Sequence, residues 1–387
     1  MRSAVENTQG DTAKKKRSII VFYISEFGGH SRAAKNIREA LLMRDPGLAV
    51  HRINGAKYFY PVWERIVDFI YTRVIVHSPH LWGRVYDREK VIRRLSPVRR
   101  VVNRLAFGKV KRLLRRKRPD CIVATQAFPC GVIADYKLAY EVDVPLIAVV
   151  TDYYPHRFWV HPAITHYVVA CPEAKDILCR EGVPEEKIKI LGIPISVKFL
   201  QSFSKEAVAR AYGFNPHLPS LLLMGGGLGL GPLKMIAGDI DSLPYEFQII
   251  VVCGRNHGLY QWFCSRRRKF RKPVYCFRYV DFVHELMDFA DIIVTKGGGI
   301  TVSEALAKGL AMLITNPIPG QEERNVAYLA RTQAVLRMRN PQEIAEAVQR
   351  LFTEKGELYR LKERAKDIAV IDSSVRIVDL ILSELRG

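Results

Sequence analysis

Residues 18–43 read SIIVFYISEFGGHSRAAKNIREALLM. The first eight are largely apolar and β-branched, which suits a short buried strand. A glycine pair follows, and Ala34, Ile37, Leu41 and Leu42 then recur at helical spacing. A strand, a tight turn and a helix are therefore expected in that order. The pattern repeats downstream. Residues 121–125 (CIVAT), 145–151 (PLIAVVT) and 166–170 (HYVVA) read as buried strands separated by segments long enough for helices. Residues 220–224 (SLLLM), 247–253 (FQIIVVC), 292–295 (IIVT) and 311–315 (AMLIT) form a second series. Continuous apolar strands alternating with helices indicate parallel sheets covered on both faces. The expected fold class is α/β, with two doubly wound, Rossmann-like domains facing an interdomain cleft. The apolar series pauses near residues 192–202, where Ile193-Pro194-Ile195 favours an extended linker. The expected division is a loose tail over 1–17, an N-terminal domain over 18–196, a C-terminal domain over 197–365, and a terminal helix over 366–387 that packs back on the N-terminal domain.

At 387 residues the chain is long enough for two cores. No run of about 18 apolar residues is present, so no span of a bilayer is expected. Seven scattered cysteines show no two-residue spacing, which argues against a zinc site or a disulfide framework and suits a reducing cytosol. The net charge of +21 implies an anionic partner. Much of it is local: residues 88–118 hold fourteen Lys or Arg and one acid, Glu89.

Gly28-Gly29-His30 falls where the first strand meets the first helix, the place where open α/β sheets bind ligands. The near-neutral pKa of His30 suits a general base that removes a hydroxyl proton; a tight turn with a solvated histidine is the plain alternative. Gly225, Gly226, Gly227 and Gly229, with Gly231, follow a strand, and such a loop presents backbone N–H groups that can cradle a diphosphate. It lacks the Gly-Lys-Ser/Thr ending of a nucleoside-triphosphate loop. Gly298, Gly299 and Thr301 open a second helix, whose free N–H groups and dipole offer another anion site. Glu304, one turn further in, can accept hydrogen bonds from ribose hydroxyls or serve only as a favourable first-turn acid, and Gln321, Glu322 and Asn325 can serve sugar hydroxyls. Asp152 and His156, after the strand at 145–151, can orient an acceptor, with a structural Asp152 capping the next segment equally open, and Trp159 can meet lipid or core. The only Asp-x-Asp string, Asp239 to Asp241, lies away from the strand ends, so backbone amides rather than a chelated metal are expected to hold a diphosphate.

Val91, Leu95, Val98, Val102, Leu105, Val110 and Leu113 recur mostly at three- or four-residue steps between basic residues that include Arg93, Arg94, Arg99, Arg100 and Arg104. Trp63 and Trp82 stand just upstream. A basic amphipathic stretch with neighbouring tryptophans suits an anionic membrane surface. Residues 265–272 (SRRRKFRK) form a second basic cluster. Without a nucleic-acid recognition motif, no nucleic acid is expected as partner.

Taken in order, Gly28-Gly29-His30, residues 151–159, Gly192-Ile193-Pro194-Ile195, residues 225–231, Cys253-Gly254-Arg255-Asn256, residues 295–305 and 319–325 resemble the monogalactosyldiacylglycerol synthase and processive diacylglycerol glucosyltransferase family. The peptidoglycan N-acetylglucosaminyltransferase, of the same GT-B architecture, is a more distant likeness. The resemblance implies an inverting, metal-independent transfer from UDP-glucose or UDP-galactose to diacylglycerol, with no cofactor, by a peripheral protein on the cytoplasmic face of the membrane. It also implies His30 as base, with Gly28 and Gly29 on the acceptor side. Gly225 to Gly231 and residues 298–301 would contact the diphosphate, Glu304 the ribose, and Gln321, Glu322 and Asn325 the sugar. Arg255 belongs to the same donor set, and the backbone of Tyr279 and Val280 would meet uracil. In two departures, Gly297 stands where the family usually has Pro, which should only loosen that loop, and Glu26 is one position from the acid of the plant synthases. A UDP-GlcNAc transferase acting on another lipid, a UDP-GlcNAc epimerase, and a non-catalytic membrane or nucleic-acid binder are the competing expectations.

Overall fold

The computed structural model describes residues 16–26, 28–61 and 100–385. It holds two six-stranded sheets, every strand pair parallel. The first contains β1 (Ser18–Tyr23), β2 (Ala49–Asn54), β3 (Cys121–Ala124), β4 (Leu146–Val149), β5 (His166–Val169) and β6 (Ile188–Ile190), in spatial order β2-β1-β3-β4-β5-β6. The second contains β7 (Ser220–Met224), β8 (Gln248–Val252), β9 (Val274–Phe277), β10 (Ile292–Thr295), β11 (Ala311–Ile314) and β12 (Val335–Arg337), in order β12-β11-β10-β7-β8-β9.

Both orders reverse direction once, between β1 and β3 in the first sheet and between β7 and β10 in the second. The crevice outside the carboxyl ends of the strands at such a reversal is where α/β sheets bind ligands. β1, β3, β4, β7, β8, β10 and β11 are buried along their whole length, because helices cover both faces. This is the two-domain GT-B architecture.

The connection between the sheets is packed. Ile193 and Ile195 are core residues, Asn36 donates to the Pro194 carbonyl at 2.9 Å, and Ser374 donates to the Ile195 carbonyl. At Gly192, with φ of 84°, a Cβ would lie 2.7 Å from Val370 Cβ, so glycine answers both a left-handed backbone and a close approach. The helix Lys355–Ile368 ends before Val370, and residues 369–372 form a turn before the next helix. The last helix, Ser373–Glu384, puts Ile377, Val378 and Ile381 into one core cluster with Ile37 and Leu41 of the helix Gly29–Arg44. The chain end thus buckles the two halves together.

Candidate active site

β1 delivers His30 to the first reversal, in the first turn of the helix Gly29–Arg44. Its Nδ1 lies 2.9 Å from the Thr125 carbonyl oxygen and 2.9 Å from Thr151 Oγ1. A carbonyl only accepts, so Nδ1 carries the proton and Nε2 keeps its lone pair. Nε2 makes no hydrogen bond among the described residues, and His30 is half-buried. Burial lowers the imidazole from its ordinary value to about 4, against the Thr125 bond, which raises it. The ring is therefore neutral at pH 7, in the form that accepts a proton. Thr125 Oγ1 in turn shares its one proton between the His30 carbonyl at 2.9 Å and the Phe22 carbonyl at 3.1 Å, fixing the strand end and the helix start together. Glu26 instead accepts from Tyr23 Oη at 2.8 Å.

In the second sheet the glycine loop after β7 interlocks with the loop after β8. Arg255 N donates to the Gly227 carbonyl at 3.0 Å, and Asn256 Nδ2 to the Gly229 carbonyl at 3.1 Å. The loop folds back through Leu230 N to the Gly225 carbonyl at 3.0 Å. A Cβ on Gly225 would sit 2.1 Å from Leu230 O, so no larger residue closes this turn. Gly227 and Leu228 stand exposed at its tip. Beyond β9, the guanidinium of Arg255 lies 5.4 Å from the centre of the Tyr279 ring, beside Val280.

The helix Gly299–Ala307 begins directly after β10, with Gly298 as its extended N-cap. Its N-terminus abuts the other domain: a Cβ on Gly299 would be 2.2 Å from Thr151 O, and one on Gly29 would be 3.5 Å from Ile300 Cγ1. Thr301 lies in the first turn. Glu304, 1% exposed, has Arg32 Nε 3.3 Å from its Oε1. Gly297 packs tightly, since a Cβ there would approach Val326 Cγ2 to 2.4 Å. A side chain at this position would therefore need Val326 to shift.

The polar cluster at the start of the helix Gln321–Arg331 spans the two domains. Asp152 accepts from Asn325 Nδ2 at 2.9 Å and from Gln321 Nε2. Asn325, fully buried, also accepts from the Tyr153 N–H at 2.9 Å and the Tyr154 N–H at 3.3 Å. Glu322 reaches Lys296 Nζ at 3.4 Å and accepts from the Ile318 N–H at 2.8 Å. Tyr153 Oη and Ser303 Oγ, 2.8 Å apart, add another bridge between domains. Burial raises the Asp152 carboxyl to about 6, while the Asn325 and Gln321 bonds oppose the shift.

The two remaining acceptor-side residues are structural in their contacts. His156 is buried and its Nδ1 accepts from the Phe158 N–H at 3.1 Å. Trp159 is 4% exposed within the core of the first domain, so of the two expectations it meets core, not lipid. Asp241 accepts from the Arg271 and Lys272 N–H groups at 3.0 and 2.9 Å, a loop-holding role. No group of three or more metal-ligating side chains occurs among the described residues.

Trp63, Trp82, Arg93, Arg94 and Arg99 lie outside the described residues. Arg100 and Arg104 are exposed, as are Val101 and Leu105 beside them, Leu105 at 76%. The next helix, Phe107–Lys117, buries Val110 and Leu113 and turns most of its basic side chains outward. No described helix is long and apolar enough to cross a membrane.

Arg32, Thr125, Tyr153 and Ser303 did not stand out in the sequence as site residues. The available signal was position: Thr125 and Tyr153 follow the carboxyl ends of β3 and β4, and Arg32 is two residues from His30.

The family model described as monogalactosyldiacylglycerol (MGDG) synthase matches residues 30–195, and that of the glycosyltransferase family 28 C-terminal domain matches 221–375. A processive diacylglycerol beta-glucosyltransferase of Bacillus cereus (strain B4264) is 32% identical over 72% of this chain and 72% of its own length. The protein of the same name from Bacillus cereus (strain ATCC 10987 / NRS 248) is 28% identical over 96% and 94%. Among solved structures, MurG of Acinetobacter baumannii superposes with a TM-score of 0.62 at 13% identity, over 95% of this chain and 100% of its own. The UDP-GlcNAc 2-epimerase of Neisseria meningitidis bound to UDP-GlcNAc gives 0.62 at 12% identity, over 95% and 100%. At such identities the two structures show the shared fold alone.

Proposed function

The chain belongs to the monogalactosyldiacylglycerol synthase and processive diacylglycerol glucosyltransferase family, and from that premise we propose that it transfers glucose or galactose from a UDP-sugar to the hydroxyl of diacylglycerol, with inversion. The observation that carries this reading is the meeting of two unlike chemistries in one crevice. A neutral histidine with a free Nε2 stands on one wall, and the Gly298–Gly299 helix start stands on the other, brought together by the close approach of Gly299 to Thr151 and by the Arg32–Glu304 pair.

In the proposed reaction, the lipid hydroxyl oxygen attacks the anomeric carbon as its proton passes to His30 Nε2. The bond from that carbon to the β-phosphate oxygen breaks, and its electron pair leaves on UDP. Thr125 and Thr151 hold the ring in the productive tautomer, which is general-base catalysis with a fixed base. Charge growing on the diphosphate meets the backbone N–H groups of residues 226–228 and the positive end of the helix Gly299–Ala307. We read the transfer as metal-independent on those donors. Gln321 and Glu322 line the sugar side, and Asp152 completes that wall from the other domain.

A peripheral position on the cytoplasmic face of the membrane fits the exposed pairing of Arg100 and Arg104 with Val101 and Leu105, and anionic lipids are the partner that charge favours. The test is a donor screen with diacylglycerol in mixed micelles, in chelator and in magnesium, with products identified by mass spectrometry. Hexosyl-diacylglycerol with UDP release, insensitive to chelator, is expected. Turnover of UDP-GlcNAc without lipid would overturn the reading.

A further inference from the structure

Glu304 is the most deeply buried carboxylate facing the cleft, on the donor domain's second anion-binding helix. Its Oε1 is buried and makes no hydrogen bond of good geometry, and the cation beside it, Arg32 Nε at 3.3 Å, comes from the opposite domain. Burial pushes the Glu304 carboxyl up, and Arg32 pulls it back down. Arg32 is itself favoured in its charged form first by Glu304, and also by Tyr279 and Glu39. Tyr279, half-exposed, carries Arg255 over its ring. An ionised carboxylate buried without a counter-charge is costly, so Glu304 keeps its charge most readily when Arg32 is in place. An orphaned oxygen on such a carboxylate still lacks a donor, and a ribose hydroxyl is a donor of that kind.

Resting on the UDP-sugar reading above, we propose that Arg32 is a positioning residue of the donor site: reaching over from the acceptor domain, it holds Glu304 ionised and aimed, so that the nucleotide ribose is gripped only when the two domains are closed. Donor recognition is then shared between domains. Arg32 touches neither sugar nor acceptor; it acts through Glu304.

The experiment measures calorimetric affinity for UDP and for 2′,3′-dideoxy-UDP on the full chain, in wild type, Arg32→Gln and Arg32→Lys, with thermal unfolding as the check on folding. Wild type is expected to prefer UDP by about tenfold, the scale of a hydrogen bond to a charged group. Arg32→Gln should bind UDP about tenfold more weakly and lose the preference, while Arg32→Lys keeps most of it. A merely structural role would weaken both ligands equally and leave the ratio intact, and that result overturns the proposal. Absence of any preference in wild type also overturns it. Failure of wild type to turn over any UDP-sugar would instead strike the proposed function, while the ratio would still judge Arg32.

Discussion

The Nδ1 of His30 lies 2.9 Å from the backbone carbonyl oxygen of Thr125, and this contact decides which ring nitrogen accepts a proton. A backbone carbonyl fixes the tautomer without the negative charge that a carboxylate would lend to an imidazolium. Burial then dominates and lowers the ring to about 4.

The acid limb of the pH–rate profile follows from this. His30 stays neutral well below the ordinary histidine value of 6.5, so the acid limb of kcat/KM assigned to His30 should fall near pH 4 rather than near 6.5. Stability moves the same way: between 6.5 and about 4 the unfolded chain takes up the proton first, so acid in that window costs folding free energy. Rate measurements from pH 4 to 8 in overlapping buffers check the first point, and a limb at 6.5 would contradict it.

Thr151 Oγ1 gives His30 Nδ1 a second partner at 2.9 Å. Replacing it in Thr151→Val keeps the shape and removes the hydroxyl, at a cost of about 1 kcal/mol in holding the ring. A fall of roughly fivefold in kcat is expected, with affinity for UDP unchanged. Parallel kinetics and UDP calorimetry separate the two, and an equal loss in UDP affinity would place Thr151 elsewhere in the mechanism.

Asp152 receives amide donors from both Gln321 and Asn325, and both oxygens of a carboxyl group can accept in either protonation state, whereas the NH2 of an amide cannot. Asp152→Asn sets an NH2 against one of them, which should destabilise the chain by about 1–3 kcal/mol. The wild-type carboxyl is raised to about 6, so between 3.8 and 6 the folded state holds a proton that the unfolded state has released. Wild-type stability from this group therefore declines as pH rises through that window. The gap between wild type and variant, read by denaturant unfolding, should shrink from pH 5 to pH 7; a gap that widens would contradict the assignment.

Much of the fold was legible in the sequence because buried parallel strands leave uninterrupted apolar runs. SIIVFYIS, SLLLM and IIVT mark β1, β7 and β10, the strands that carry the candidate site. The glycine loops were legible for a related reason, since the close approaches at Gly225 and Gly299 exclude other residues. Contacts between domains were not. Asp152 with Asn325, Tyr153 with Ser303 and Arg32 with Glu304 join residues more than 140 positions apart, and nothing in local spacing pairs them. Trp159 shows the opposite limit, since a tryptophan in an aromatic stretch reads equally as a lipid or a core residue until its neighbours are known.

Arg100 and Arg104 stand exposed beside Val101 and Leu105. The double charge reversal Arg100→Glu/Arg104→Glu should weaken binding to vesicles containing phosphatidylglycerol by about 1 kcal/mol per residue or more, and the deficit should narrow as salt rises. Co-sedimentation at two salt concentrations checks this; undiminished binding would contradict a membrane role for this face.

The most direct measurement is hexosyl-diacylglycerol formation from UDP-sugar and diacylglycerol by wild type and His30→Ala, with UDP binding measured on both. The account predicts product from wild type and a loss of about a thousandfold in His30→Ala with UDP affinity retained. Full activity in His30→Ala would contradict it.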